Sequence, residues 1–152
     1  MTINNSLSHR NREPERGVLY IVATPIGNLE DISIRASKIL REVSLIACED
    51  TRTTAKLLSH LKISNKLISF HKHSSKEKTD LLISKLALGD SIALVSEAGT
   101  PLISDPGNSL VRNVIENNLE VICIPGPCAA ITALVSSGID SSKFTFFGFI
   151  PK

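Results

Sequence analysis

Short apolar runs alternate with amphipathic stretches from Val18 to Gly138. VLYIVAT (18–24), SLIAC (44–48), KLISF (66–70), IALVS (92–96) and VICIP (121–125) each read as a buried strand. The intervening segments have helical spacing. DISIRASKILREV (31–43) puts Ile32, Ala36, Ile39, Leu40 and Val43 on one face, with Asp31 placed as its N-cap. TTAKLLSHL (53–61) reads as a short helix. KEKTDLLISKLALG (76–89) reads as a helix stopped by Gly89. NSLVRNVIENN (108–118) turns Leu110, Val111, Val114 and Ile115 inward, and CAAITALVSSG (128–138) ends at Gly138. FTFFGFI (144–150) is a candidate sixth strand.

Strands joined by helices must pair in parallel, and the helices must lie on the sheet faces. The pattern therefore predicts an α/β domain over 17–138, built on a mostly parallel five-stranded sheet with helices on both faces. Residues 1–16 are polar and turn-rich and read as a disordered lead. Residues 139–152 read as a junction running into the first strand of a second domain. In such sheets ligands bind beyond the carboxyl ends of the strands. Four of the five strand exits there are rich in turn residues and small polar groups: TPIGNLED, CEDTRTT, EAGTPLISDPG and PGPCAA. HKHSSKEK, after the third strand, reads as ordinary solvated loop.

Composition narrows the classes. A net charge of +2 neither demands nor excludes a nucleic-acid partner. No apolar run approaches the roughly 18 residues of a membrane span, so no membrane partner is expected. The first residues lack the apolar core of a secretion signal. Cys48, Cys123 and Cys128 sit in or beside apolar runs, which fits a reducing, cytoplasmic setting. Cys123 and Cys128 with the His71/His73 pair match no zinc spacing, so no metal is expected. Neither a G-x-G-x-x-G nor a G-x-x-x-x-G-K-[ST] motif is present, which disfavours ordinary dinucleotide and P-loop sites.

The exits carry chemistry of another kind. Pro25, Gly27, Gly99, Pro101, Pro125 and Gly126 allow backbone groups to approach a flat ligand closely, although the same residues also serve tight turns. Glu49, Asp50 and Arg52 stand together at a strand exit. Asp50 or Thr51 alone would satisfy a helix N-terminus there. Arg52 beside two acids points either to a held geometry or to a grip on phosphate.

The segments GVLYIVATPIGNLEDI, LIACEDTRTTAKLL, LVSEAGTPLISDPG and IPGPCAAITAL occur in the order and spacing of a known motif series. They resemble the small-subunit (16S) ribosomal RNA 2′-O-ribose methyltransferases, a branch of the tetrapyrrole methylase superfamily. The resemblance covers residues 17–152. It implies that S-adenosyl-L-methionine is bound in a cleft between this α/β domain and a second one. It also implies methyl transfer to the 2′-oxygen of a cytidine in small-ribosomal-subunit RNA. Carried over motif by motif, the cofactor contacts are Pro25, Ala98, Gly99, Thr100, Ile103, Cys128 and Ala129. The family is often dimeric, so a homodimer is a further implication.

Two positions depart from the family pattern: Glu97 stands where Asp is usual, and Asn108 where an aromatic is usual. The family continues for a second domain of comparable size, and this sequence ends at GFIPK, so the resemblance implies an N-terminal half. A ribose hydroxyl must lose its proton to become a good nucleophile, which makes Glu49 and Asp50 the candidate acceptors. Arg52 would grip RNA phosphate or orient those acids. Two alternatives stay open: methylation of a small tetrapyrrole, against which CEDTRTT argues, and a folded remnant without turnover.

Overall fold

A computed structural model describes residues 13–72 and 74–149. Five strands, β1 (Val18–Val22), β2 (Leu45–Cys48), β3 (Leu67–Ser69), β4 (Ile92–Val95) and β5 (Glu120–Ile124), form one sheet in the order β3-β2-β4-β1-β5. Every neighbouring pair is parallel, with Leu19 opposite Ile92, Val18 opposite Glu120, Leu45 opposite Ile92 and Ile46 opposite Leu67. The helices are α1 (Ile34–Glu42), α2 (Thr51–His60), α3 (Lys76–Ala87), α4 (Asn108–Glu116) and α5 (Ala129–Ser136).

The two-residue period of a strand divides the core into two layers. Val18, Tyr20 and Val22 of β1 pack with Ala36, Ile39 and Leu40 of α1 and Leu58 of α2. Leu19 and Ile21 point the other way and pack with Leu82 and Leu86 of α3 and Leu110 and Val114 of α4. Strands buried on both faces read as continuous apolar runs, which is how β1 and β4 appear in the sequence. β1 and β4 are buried at every position.

Local signals set most element ends. Asp50 caps α2, its Oδ1 accepting from the Arg52 N–H at 2.7 Å. Gly89 stops α3 with φ +95°, its N–H donating to the Leu86 carbonyl at 2.9 Å while Asp90 N–H reaches Lys85 at 3.0 Å. The start of α1 differs from expectation. Ser33, not Asp31, is its N-cap, accepting from Ala36 N–H at 3.0 Å. Asp31 instead ends a single 3₁₀ turn, Leu29–Asp31, because Asn28 supplies the earlier cap and Ile32 is extended. On α4, Ile115 is 59 % exposed and not inward, since the buried stripe centres on Leu110 and Val114.

Both ends of the chain also correct the sequence reading. Residues 1–12 of the expected lead lie outside the described residues, but Glu13 is buried at 5 % exposure. Its carboxylate takes the fork of Arg35, with Nε at 2.7 Å, so the chain is already packed there. At the other end, 144–149 form no strand, and residue 150 of the FTFFGFI segment lies outside the described residues. Among the described residues no strand pairs with the segment. Phe146 and Phe149 instead lie over the exits of β4 and β5.

Gly107 leads into α4 with φ +125°, and an added Cβ would stand 2.7 Å from Leu102 Cδ2 and 2.8 Å from Leu94 Cδ2. Backbone strain and overpacking then act together. Gly107→Ala should destabilise the fold by about 2–4 kcal/mol. Urea unfolding followed by circular dichroism will show a lowered midpoint with an unchanged slope.

Candidate functional site

α1 and α2 lie on one face of the sheet, α3 and α4 on the other. The chain therefore leaves β1 and β2 toward one side and β3 and β4 toward the opposite side. Neighbouring exits diverge at β1/β4, at β2/β4 and at β2/β3, and crevices open at such points. All the chemistry singled out in the sequence gathers at this edge.

The exits are tied to one another by backbone groups. Thr24 N–H donates to the Gly99 carbonyl at 2.9 Å and Gly99 N–H returns the bond to Thr24 at 3.0 Å. Thr24 Oγ1 donates to the Ser96 carbonyl at 3.2 Å, and Ser96 Oγ to that of Gly99 at 3.1 Å. Thr100 Oγ1 then reaches the Pro127 carbonyl at 3.0 Å, joining the β4 exit to the β5 exit. Gly99 has φ +84°, and an added Cβ would lie 3.3 Å from Ile26 Cγ2.

Six of the seven residues named as cofactor contacts meet in one cleft. Ala98, Gly99, Thr100, Ile103, Cys128 and Ala129 line a space of about 430 Å³. That volume suits a ligand of nucleoside size. Apart from Asp105, its walls are small or apolar side chains, which present backbone and flat surface to a planar ring. Pro25 is elsewhere: it lines an adjoining, mainly apolar hollow with Leu29, Leu57 and Glu97. Among the described residues no group of three or more His, Cys, Asp or Glu side chains is arranged to hold a metal.

Glu49, Asp50 and Arg52 also come together, in an open groove that His71, Lys72 and Glu97 complete. Their roles separate on geometry. Asp50 receives Arg52 Nε at 3.2 Å on Oδ1 and Nη2 at 2.8 Å on Oδ2, besides the amide that it caps. The Arg52 guanidinium and backbone N–H beside Asp50 hold its carboxyl down at about 2. A carboxylate so stabilised is a poor proton acceptor. Glu49 is half-buried and also faces a second hollow beside the β4–α4 loop.

That second hollow contains what the sequence reading missed. His71, Lys72 and Ser74 of the β3 exit line it, together with Ser104 and Asp105. HKHSSKEK is thus not merely a solvated loop. His71 N–H donates to Ser74 Oγ at 2.9 Å and Ser74 N–H to the His71 carbonyl at 2.8 Å, which closes the turn. Phe70, 3 % exposed, anchors it through its N–H on the Cys48 carbonyl at 2.7 Å. The available signal was topological: β3 is parallel to β2, so its exit lies on the same edge as that of β2.

The family model of the Tetrapyrrole (Corrin/Porphyrin) Methylases matches residues 18–147. The chain is 51 % identical over 143 residues to ribosomal RNA small subunit methyltransferase I of Escherichia coli O157:H7, covering 94 % of this chain and 50 % of that protein. The Haemophilus influenzae protein of the same name is 55 % identical over 135 residues, covering 89 % of this chain and 48 % of its own length. The chain thus spans about half the length of these relatives. Among solved structures, the uroporphyrin-III-C-methyltransferase of Thermus thermophilus superposes with a TM-score of 0.61 at 19 % identity, over 84 % of this chain and 55 % of that one. Cobalt precorrin-4 methyltransferase gives 0.59 at 12 %, over 82 % of this chain and 52 % of that one. These two share the fold.

The Asp50–Arg52 pair has a defined pH signature. Asp50 is depressed from 3.8 to about 2, so its stabilising contribution is complete above about pH 4 and is lost as pH falls toward 2. Carboxyl-detected NMR should give Asp50 a midpoint near 2, and Arg52→Gln should return it toward 3.8. An unchanged midpoint in the variant would show that the guanidinium is not the cause.

Proposed function

The chain belongs to the tetrapyrrole (corrin/porphyrin) methylases, and from that premise we propose that it serves S-adenosyl-L-methionine-dependent methylation of small-subunit (16S) ribosomal RNA in the cytoplasm, at the ribose 2′-oxygen of a cytidine. The observation that carries this reading is the cleft itself. Six residues from two separate loops, 98–103 and 128–129, converge on it, and the Glu49–Arg52 groove lies along the same sheet edge. Identity above 50 % with proteins named for ribosomal RNA methylation supports that substrate class.

The cofactor supplies a methyl group on a positively charged sulfur. What remains for the protein is chiefly alignment, since an in-line displacement needs donor and acceptor held in register. Ala98, Gly99, Thr100 and Ile103 on one loop, and Cys128 and Ala129 on the other, would hold the nucleoside and methionine parts. The Thr24–Gly99 exchange keeps the first loop in place. The Thr100–Pro127 bond fixes the distance between the two loops. Pro25 would border the cofactor from the adjoining hollow. On the acceptor side, Arg52 would present its remaining N–H groups to RNA phosphate, with Asp50 holding the guanidinium plane. Glu49 keeps its carboxylate toward the groove.

Gly99 provides the test of the cofactor assignment. Its φ of +84° and the nearby Ile26 leave no room for a branched side chain. Gly99→Val should weaken S-adenosylhomocysteine binding at least tenfold, measured by calorimetry at millimolar ligand. Circular dichroism should confirm the fold. Unchanged affinity in a folded variant refutes the loop assignment. Transfer of tritiated methyl to small subunits that lack this modification tests the reaction.

A further inference from the structure

Ser104 and Asp105 have a position that no other described residue shares. They line the cleft of Ala98, Gly99 and Cys128, and they also line the hollow where Glu49, His71 and Lys72 meet. The ridge between the two spaces is therefore Ser104–Asp105. The loop that carries it is bent in an unusual way. Leu102 has φ +74° and Ser104 φ +65°, left-handed conformations that side chains other than glycine avoid. Packing holds the first of them: Leu102 is wedged under Gly107, beside Leu94. Asp105 is thus set between the two spaces by the backbone rather than by side-chain choice.

We propose that Asp105 is a catalytic residue, the carboxylate that receives the acceptor hydroxyl at the boundary between the cofactor cleft and the acceptor hollow. This rests on the RNA methylation reading above. An acceptor in the hollow must reach over the ridge to meet a methyl donor in the cleft. Glu49 faces the hollow without lining the cleft, and Asp50 is occupied by Arg52. At Asp105 the balance is simple. The O2′–H proton passes to the carboxylate as the new O–C bond forms. The methyl–sulfur bond breaks and its electron pair stays on sulfur. Burial supports the role, since it pushes the Asp105 carboxyl up and makes it a better proton acceptor. A hydrogen bond with Ser96 acts in the opposite direction and is the smaller effect.

The test reads the 2′-hydroxyl directly and needs no turnover. Two short oligonucleotides are compared, one all-ribose with a central cytidine and one with 2′-deoxycytidine at that position only. Binding to the chain is followed by NMR at low salt with saturating S-adenosylhomocysteine. The wild-type chain should prefer the ribose form about tenfold, as expected for a hydrogen bond to a charged acceptor. Asp105→Ala should reduce that preference to under about twofold and leave S-adenosylhomocysteine affinity within about twofold. Preference retained in Asp105→Ala overturns the proposal, as does a wild-type chain that binds both forms equally, and both results leave the RNA reading standing. A tenfold loss of S-adenosylhomocysteine affinity in Asp105→Ala also overturns it, by assigning the carboxylate to the donor. If neither oligonucleotide binds, the RNA reading falls and the proposal falls with it.

Discussion

Past the last paired residues of β1 and β4, Thr24 and Gly99 exchange two backbone hydrogen bonds across an isolated antiparallel bridge. The strands are parallel up to Val22 and Val95, so this reversal can form only if one chain turns back on itself. Gly99, at φ +84°, makes that turn. Once it is made, the buried hydroxyls of Thr24 and Ser96 find carbonyl partners in the same knot. Buried polar groups without partners are costly, and no buried side-chain N or O among the described residues lacks one. The bridge thus solves a local bonding problem at a point where chains leave for opposite faces of the sheet. The cleft is the space left beside that solution.

Charge is distributed around the edge in a way that separates roles. Asp50 gives its acceptor capacity to the α2 amide and to Arg52. It is therefore a fixed negative charge that orients a guanidinium. Asp105 is the reverse case, a carboxyl taken partly out of water, where burial outweighs its hydrogen bond with Ser96. Two aspartates on one sheet edge are driven in opposite directions by their surroundings, and such divergence is how a fold provides both a binding group and a proton acceptor.

Much of the architecture was legible because strands buried on both faces and amphipathic helices leave opposite periodicities in the sequence. The strand positions, the α/β class and Gly89 as a helix stop all follow from local pattern. Asp31 failed as a cap because Asn28 and Ser33 compete for the same task two or three residues away, and pattern alone does not rank them. Glu13 was hidden because its partner, Arg35, is 22 residues distant. In the candidate site, the motifs singled out loops 98–103 and 128–129, and the structure brings them to one cleft. His71 and Lys72 were not, because a loop rich in Lys and Ser looks the same whether it faces bulk water or a crevice. Asp105 within LISDPG carries no local signal of a role, and only the shared wall of two spaces gives it one.

The β5 side of the molecule differs in kind from the β3 side. Both are sheet edges, yet α3 buries Leu82 and Leu86 fully, whereas α5 buries none of its residues. Ile131, Val135, Phe144, Phe147 and Phe149 are all exposed. Phe149 also lines the cleft of Ala98 and Cys128, so part of this apolar surface is continuous with the candidate site. Each square ångström of apolar surface removed from water contributes about 25 cal/mol. Whatever covers Phe149 and its neighbours therefore also closes the cleft and strengthens the Ala98–Thr100 and Cys128–Ala129 contacts by excluding water. On the acceptor side the groove of Glu49, Arg52 and Lys72 is polar and open, suited to a partner that keeps its own hydration until it docks. The two halves of the edge thus call for different ligands: an apolar-faced one held by exclusion of water, and a charged one held by oriented groups.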